Sequence, residues 1–227
     1  MPVAARRPLV LALPFLLASA VAQGEDRYSR TVDIAAGIGG SKVTAALAWN
    51  HYLGIGESRR LKLGVGARLS SFFGSGALDY STAHADLIKQ GSVSHLTISD
   101  ARTSALNLAF VSRLRIVSRL EAGFDIDLVG AGFGSSRTGD YRSAAASLSG
   151  PQPADAATFN LLLGGKPDRG QLDSEFYLAW WWSDRWAVRG GFSHFLSEYR
   201  TARTLDAGSD RFRHSANLGF VAVSFRP

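Results

Sequence analysis

The ionisable residues of this chain recur at alternate positions within stretches that otherwise carry apolar or small residues. Asp33, Arg68, Arg119, Glu121, Asp125, Asp127, Glu175 and Arg189 each occupy the polar phase of such a stretch. A period of two is the period of a β-strand, so these charges fall on one face of their strands while the apolar residues fall on the other. Carboxylates and guanidiniums collected on one enclosed face can neutralise one another, line an ion path or hold a catalytic carboxylate pair. An isolated charge kept from water is costly. Mutual neutralisation is therefore the expectation, with Arg68 and Arg189 set against Asp125, Asp127 and Glu175; a gated ion path is the first alternative.

Other combinations carry less chemistry. Ser193-His194-Phe195-Leu196-Ser197-Glu198 contains a hydroxyl, a base and an acid, the residue types that lipid A deacylases of the PagL type use. However, Ser193 and Ser197 are an odd number of residues from His194, so a strand points both hydroxyls away from it. The His-x-Ser-Asn arrangement expected of those enzymes is missing, and His194 reads as an interfacial histidine. His84, Asp86 and His95 lie in one long connection without tight ligand spacing, so no metal is expected. Gly-x-Gly runs at 37–39, 64–66 and 132–134 sit in strands or at their ends, where no phosphate loop forms. There is no G-x-S-x-G elbow, no Walker motif and no cysteine. No cofactor is expected.

The elements that must position the charges are strands. Period-two alternation marks residues 31–38, 43–53, 61–73, 103–113, 118–130, 172–182, 185–198 and 214–225. Residues 61–73 are the clearest, with Leu61, Leu63, Val65, Ala67 and Leu69 on one face and Lys62, Gly64, Gly66, Arg68 and Ser70 on the other. In the last segment Leu218-Phe220-Ala222 and Val221-Val223-Phe225 compete for the outer face, and both registers stay open. Eight strands of this length, even in number, predict an all-β fold: an eight-stranded antiparallel up-and-down transmembrane β-barrel. An interior of that size has room for side chains only.

The connections alternate in length. Those near 54–60, 114–117 and 183–184 are short, whereas 74–101, 131–171 and 199–212 are long. Short turns at one end and long loops at the other suit a barrel set in a membrane. Gly39-Gly40-Ser41-Lys42 is the exception, a short connection at the long-loop end. Trp49, Tyr52, Trp180, Trp182, Trp186 and Phe225 gather at the short-turn end, as an interfacial aromatic girdle on the periplasmic side would. Trp181 lies with them, and Phe72, Phe73, Phe195 and Tyr199 are candidates for a second girdle. The loop 131–171, with Pro151, Pro153 and the apolar run Phe159 to Leu163, is the best candidate for ligand specificity, although no ligand can be named.

Composition bounds the class. Arg6 and Arg7 precede the apolar residues 8–22, which end in Ala20-Val21-Ala22, so residues 1–22 read as a signal peptide and 23–227 as one barrel domain. Hydrophobic residues make up 46% of the chain, yet mean hydropathy is only +0.02, as expected when every second strand residue faces lipid. The formal charge of +6 comes from scattered basic residues with no Lys/Arg run longer than two, which disfavours nucleic acid. Outer-membrane lipid and the phosphates of lipopolysaccharide suit scattered arginine better.

The export signal, the eight alternating segments and a terminal LGFVAVSF closing on Phe225 resemble small outer-membrane barrels such as the OmpA membrane domain, OmpX and the OmpW family. The resemblance is one of pattern over the whole mature chain. It implies a bacterial outer-membrane, porin-like location in a Gram-negative envelope. It also implies recognition of the C-terminal aromatic by the barrel-insertion machinery, although here Arg226 and Pro227 follow it. The function expected is non-enzymatic, in envelope structure or surface interaction. A narrow channel for small or apolar solutes and a lipid A-modifying enzyme are the alternatives.

Overall fold

A computed structural model describes residues 27–82, 93–144, 148–165, 167–205 and 209–227. Residues 1–22, expected to be the signal peptide, lie outside the described residues, as do His84 and Asp86. None of the described residues is helical.

The described residues form thirteen strands rather than the eight expected: β1 Tyr28–Gly39, β2 Lys42–Ile55, β3 Leu61–Gly74, β4 Ala77–Thr82, β5 His95–Ser99, β6 Arg102–Val117, β7 Leu120–Gly134, β8 Arg137–Arg142, β9 Ser149–Ala156, β10 Phe159–Leu161, β11 Leu172–Trp181, β12 Trp186–Thr201 and β13 Arg211–Phe225. The additional strands, β4, β5, β8, β9 and β10, lie in the connections that sequence pattern assigns to long loops. All ladders are antiparallel. Pairing runs β1–β2–β3–β6–β7–β11–β12–β13 and returns from β13 to β1, so the sheet closes into a ring without open edges.

Local chemistry sets the turns. Gly39 pairs with Lys42 around a two-residue turn in which Gly40 takes φ +62°, a backbone that glycine adopts without a Cβ penalty. Val117 pairs with Leu120, leaving Ser118 and Arg119 as the turn. At the next turn Ser183 Oγ accepts the backbone N–H groups of Arg185 and Trp186. The last two of these turns, with residues 56–60, mark the turn end of the ring, and the Gly40-Ser41 turn lies at the opposite end.

A second ring rises at the other end. The β12–β13 hairpin is paired from Trp186↔Phe225 to Arg200↔Arg211. Beyond Leu196, β12 has no partner in β11 and meets β9 at Tyr199–Thr201; β13 leaves β1 and meets β4 at Phe212 and Arg213. β4–β5, β5–β8 and β8–β9 complete the circuit. Its interior is apolar, with Leu78, Tyr80, Leu96, Ile98, Tyr141, Phe195, Tyr199 and Phe212 buried together. Phe72 stacks on Phe195 at 5.2 Å, and Tyr80 meets Tyr199 edge-on at 5.3 Å. Burial pushes the Tyr80 phenol up from its ordinary value, so it stays protonated beside Ser197 Oγ, 3.3 Å away. Phe72, Phe195 and Tyr199 therefore belong to a core and not to an outer girdle; of those four candidates only Phe73 faces out.

The two rings have opposite polarity. In the first, Ile34, Leu47, Val65, Leu106, Leu178, Val188 and Val221 are exposed on the outside, and polar and charged residues fill the inside. Along β12 the outward residues change from Val188 and Phe192 to His194 and Arg200, while the inward ones change from Arg189 to Phe195 and Tyr199. The last strand settles into one register: Leu218, Phe220 and Ala222 point in, Val221 and Val223 out. Replacing Phe195 by Ala should cost about 3–5 kcal/mol, because it empties a packed core, whereas outward Phe192→Ala should cost far less. Urea unfolding in detergent micelles checks this; equal losses would contradict the assignment of the second core.

Candidate functional site

The interior of the first ring is an ion-pair network. Arg189, projecting inward from β12, is its centre. One guanidinium nitrogen lies 2.6 Å from Asp33 Oδ2; another lies 2.7 Å from Glu175 Oε2 and 3.0 Å from Asp125 Oδ2. The planar group also sits 3.6 Å above the Tyr177 ring. Four strands thus converge on one side chain: β1, β7 and β11 supply carboxylates to a cation from β12.

Arg68 of β3 faces the same acids from the loop side, with Asp173 at 3.4 Å, Asp127 at 3.5 Å, Glu175 at 3.6 Å and Asp125 at 3.9 Å. Arg113 of β6 serves the turn side, 3.3 Å from Asp33 and 3.8 Å from Glu121. Its Nε donates to Tyr177 Oη at 3.2 Å, and Tyr177 in turn donates to Asp125 at 3.1 Å. Neutral donors supply more contacts. Asn50 donates to Asp33 at 2.7 Å, Asn107 to Asp127 at 2.8 Å, and the Trp181 indole to Glu121 at 2.8 Å. Ser193 donates to Asp173. Toward the turn end Arg226 reaches Glu121 at 3.2 Å and lies over the Trp181 ring.

Room for this network depends on glycine. An added Cβ at Gly123 would lie 2.2 Å from Tyr177 Cζ, so the Tyr177 ring occupies the volume that a side chain on β7 would need. Past Asp127 the β6–β7 ladder slips by one residue, Leu108 pairing with Val129 and Ala109 with Asp127. This bulge keeps Asp125 and Asp127 inward while Gly130 and Gly132 take over the inward phase above them.

Asp33, Arg68, Glu121, Asp125, Asp127, Glu175 and Arg189 are buried together. Arg119 is a correction: it is exposed in the two-residue turn, because β7 starts at Leu120. Its place is taken by Arg113, which sequence reading misses. Extending the alternation Asn107–Ala109–Val111 by one step would have found it, and Asp173 follows from Glu175 and Tyr177 in the same way. Tyr52 is a second correction. It is 3% exposed and lies under the Arg113 guanidinium at 4.7 Å, because it shares the phase of Asn50 rather than that of Trp49. Trp49, Trp180, Trp182 and Trp186 are exposed near the turn end, and Phe225 packs on Trp186 at 4.7 Å.

The other candidates do not assemble. His194 faces outward, with Nδ1 2.8 Å from Asn217 Oδ1, while Ser193 and Ser197 are buried inside. His95 lies 2.7 Å from Asp79, both on the surface. Among the described residues no group of three or more His, Asp or Glu is arranged to hold a metal ion.

No family model matches the chain. No curated protein matches it either. Among solved structures it superposes on Ail, the attachment invasion locus protein of Yersinia pestis, in complex with the heparin analogue sucrose octasulfate; the TM-score is 0.36 and the identity 9%, over 88% of this chain and 97% of that one. A second Ail structure, in a phospholipid bilayer nanodisc, gives 0.39 and 12%, over 89% and 100%. The monoaromatic hydrocarbon channel CymD gives 0.22 and 8%, over 91% and 90%. At these identities and scores the likenesses carry no weight for function.

Two substitutions test the network. Arg189→Met leaves three buried carboxylates short of their shared cation and should destabilise the chain by about 3–5 kcal/mol. Gly123→Ala should cost about 1–3 kcal/mol through the displaced Tyr177 ring. Both are read from urea midpoints in micelles, and a change below about 1 kcal/mol for Arg189→Met would mean that the pairing is not structural.

Proposed function

We propose that the chain is a non-enzymatic outer-membrane barrel. Its transmembrane wall is the ring of eight strands β1, β2, β3, β6, β7, β11, β12 and β13, its interior is plugged by paired charges, and its second ring faces the outside as an interaction surface. The observation that carries this reading is the inverted polarity of the first ring. A soluble protein would leave this apolar belt in water. Each half-exposed aliphatic or aromatic side chain there forgoes roughly 1 kcal/mol. Some twenty of them would forgo on the order of 20 kcal/mol, more than the roughly 5–15 kcal/mol by which a typical domain is stable. Hydrocarbon around the ring removes that deficit.

The belt has the right height. On β12 it runs from Trp186 up to His194; of the later residues in that phase Leu196 and Glu198 are buried and Arg200 is exposed. Those nine residues span about 26 Å along the strand. At a tilt of 35–45° that is roughly 20 Å across the membrane, near the ~25 Å apolar band of such barrels. Trp49, Trp180, Trp182, Trp186 and Phe225 fit the periplasmic girdle, Tyr52 being replaced by residues on the outward phase. Export would be directed by residues 1–22. Lipopolysaccharide phosphates and the barrel-insertion machinery are the partners this location supplies.

A plug, rather than a channel, is favoured by the spanning of the interior from β3, β6 and β12 by three arginines that meet carboxylates from β1, β7 and β11. The expected result is recovery in the outer-membrane fraction with a mobility on gels that changes on boiling, together with silence in planar bilayers. Recovery as a freely soluble periplasmic protein would overturn the membrane reading. Discrete conductance steps abolished by Arg68→Ala would overturn the plug.

A further inference from the structure

The turn end carries a ring of positive charge directly beyond the outward tryptophans. Arg27 and Arg30 lie at the start of β1, Arg60 before β3, Arg119 between β6 and β7, and Arg185 between β11 and β12. All five are exposed. Among the described residues the exposed carboxylates at this end are Glu57 and Asp184. Arg30 pairs in register with His51 on β2, whose ring stacks with Trp49, so the cation and the tryptophan occupy the same outer face. At the loop end, by contrast, guanidiniums are interleaved with carboxylates, as in Arg200–Asp210 and Arg211–Glu198.

We propose that this collar binds the headgroups of anionic phospholipids in the leaflet that surrounds the turn end. The proposal rests on the membrane reading above and adds which lipid the barrel selects. Its basis is distribution. In the order of the closed ring, the cations recur at the start of β1 and then at every second strand junction, so they cover the circumference. A protein or glycan partner docking at the turns would need a patch on one side; only the lipid annulus meets all sides at once. A guanidinium matches a phosphate through two parallel hydrogen bonds, and outward tryptophans beside it hold the barrel at headgroup depth. An excess of like charge at that depth favours anionic over zwitterionic headgroups, and salt screens the preference.

The tryptophans provide the measurement, since Trp49, Trp180, Trp182 and Trp186 are exposed beside the collar. The full chain is inserted into phosphatidylcholine vesicles containing a small fraction of either brominated phosphatidylglycerol or brominated phosphatidylcholine. The expected result is quenching at least twofold stronger with the brominated anionic lipid, falling to parity in molar salt. Combined Arg30→Gln, Arg119→Gln and Arg185→Gln should bring the ratio to about one, while Lys at the same three positions retains it. Equal quenching of the unaltered chain by the two lipids would overturn the collar and leave the membrane reading intact. Failure to insert into either vesicle would sink the membrane reading itself. The salt series on the unaltered chain decides the matter even if the glutamine variant does not fold.

Discussion

The structure depends on the neutralisation of charge inside a closed sheet. Six interior carboxylates, Asp33, Glu121, Asp125, Asp127, Asp173 and Glu175, face Arg68, Arg113 and Arg189, with Lys62 buried nearby and Arg226 reaching in from the turn end. No single arginine serves a single acid. Arg189 and Arg68 share Asp125 and Glu175, and Arg189 and Arg113 share Asp33. Further hydrogen bonds reach these acids from Asn50, Asn107, Tyr177 and Trp181. Sharing of this kind fixes register. A slip of one residue in any contributing strand would turn its charge outward and leave partners on several other strands uncompensated.

The β12–β13 hairpin links this ionic ring to the apolar one above it. Among the described residues it is the only pair of strands common to both circuits, and it is paired along nearly its whole length. Its inner face therefore has to serve two interiors. Arg189 meets acids below, while Phe195, Tyr199 and Phe212 join the aromatic core above. Tyr199 ties the levels together: its hydroxyl accepts from the Arg102 N–H at 3.1 Å and donates to the Arg102 carbonyl at 3.0 Å, where β6 of the first ring begins.

Much of the first ring was legible because period-two alternation survives along long strands. The segments read at 61–73 and 185–198 match β3 and β12 to within a few residues at each end. What failed was phase near strand ends. Tyr52 groups with Trp49 by proximity in the sequence although it shares the phase of Asn50, and alternation extends a strand over Arg119, which the two-residue turn occupies. The final strand could not be phased because both of its faces are apolar; Phe220 turns inward beside Tyr177 and Arg189, a contact no local pattern reports. The second ring was illegible for a different reason. β4, β5 and β8 are five or six residues long, so their alternation covers too few residues to stand out. β9 contains Pro151 and Pro153, which read as loop. Set two apart, the prolines lack an N–H on the same edge, and β12 joins β9 only from Ala154 onward, so a strand tolerates them there.

The change of polarity along that hairpin supports the proposed environment of each ring without reference to any other protein. A face is apolar where the opposing medium is apolar, and the outward residues of β12 and β13 change character at the cross-strand pair His194↔Asn217, which also share a hydrogen bond. Below that pair, an apolar exterior leaves the interior as the only place for charge. Above it, water takes the outside and the interior can be an ordinary aromatic core. One pair of strands thus obeys two opposite solubility rules within sixteen residues, and on the proposed membrane reading the point of reversal is where hydrocarbon would end.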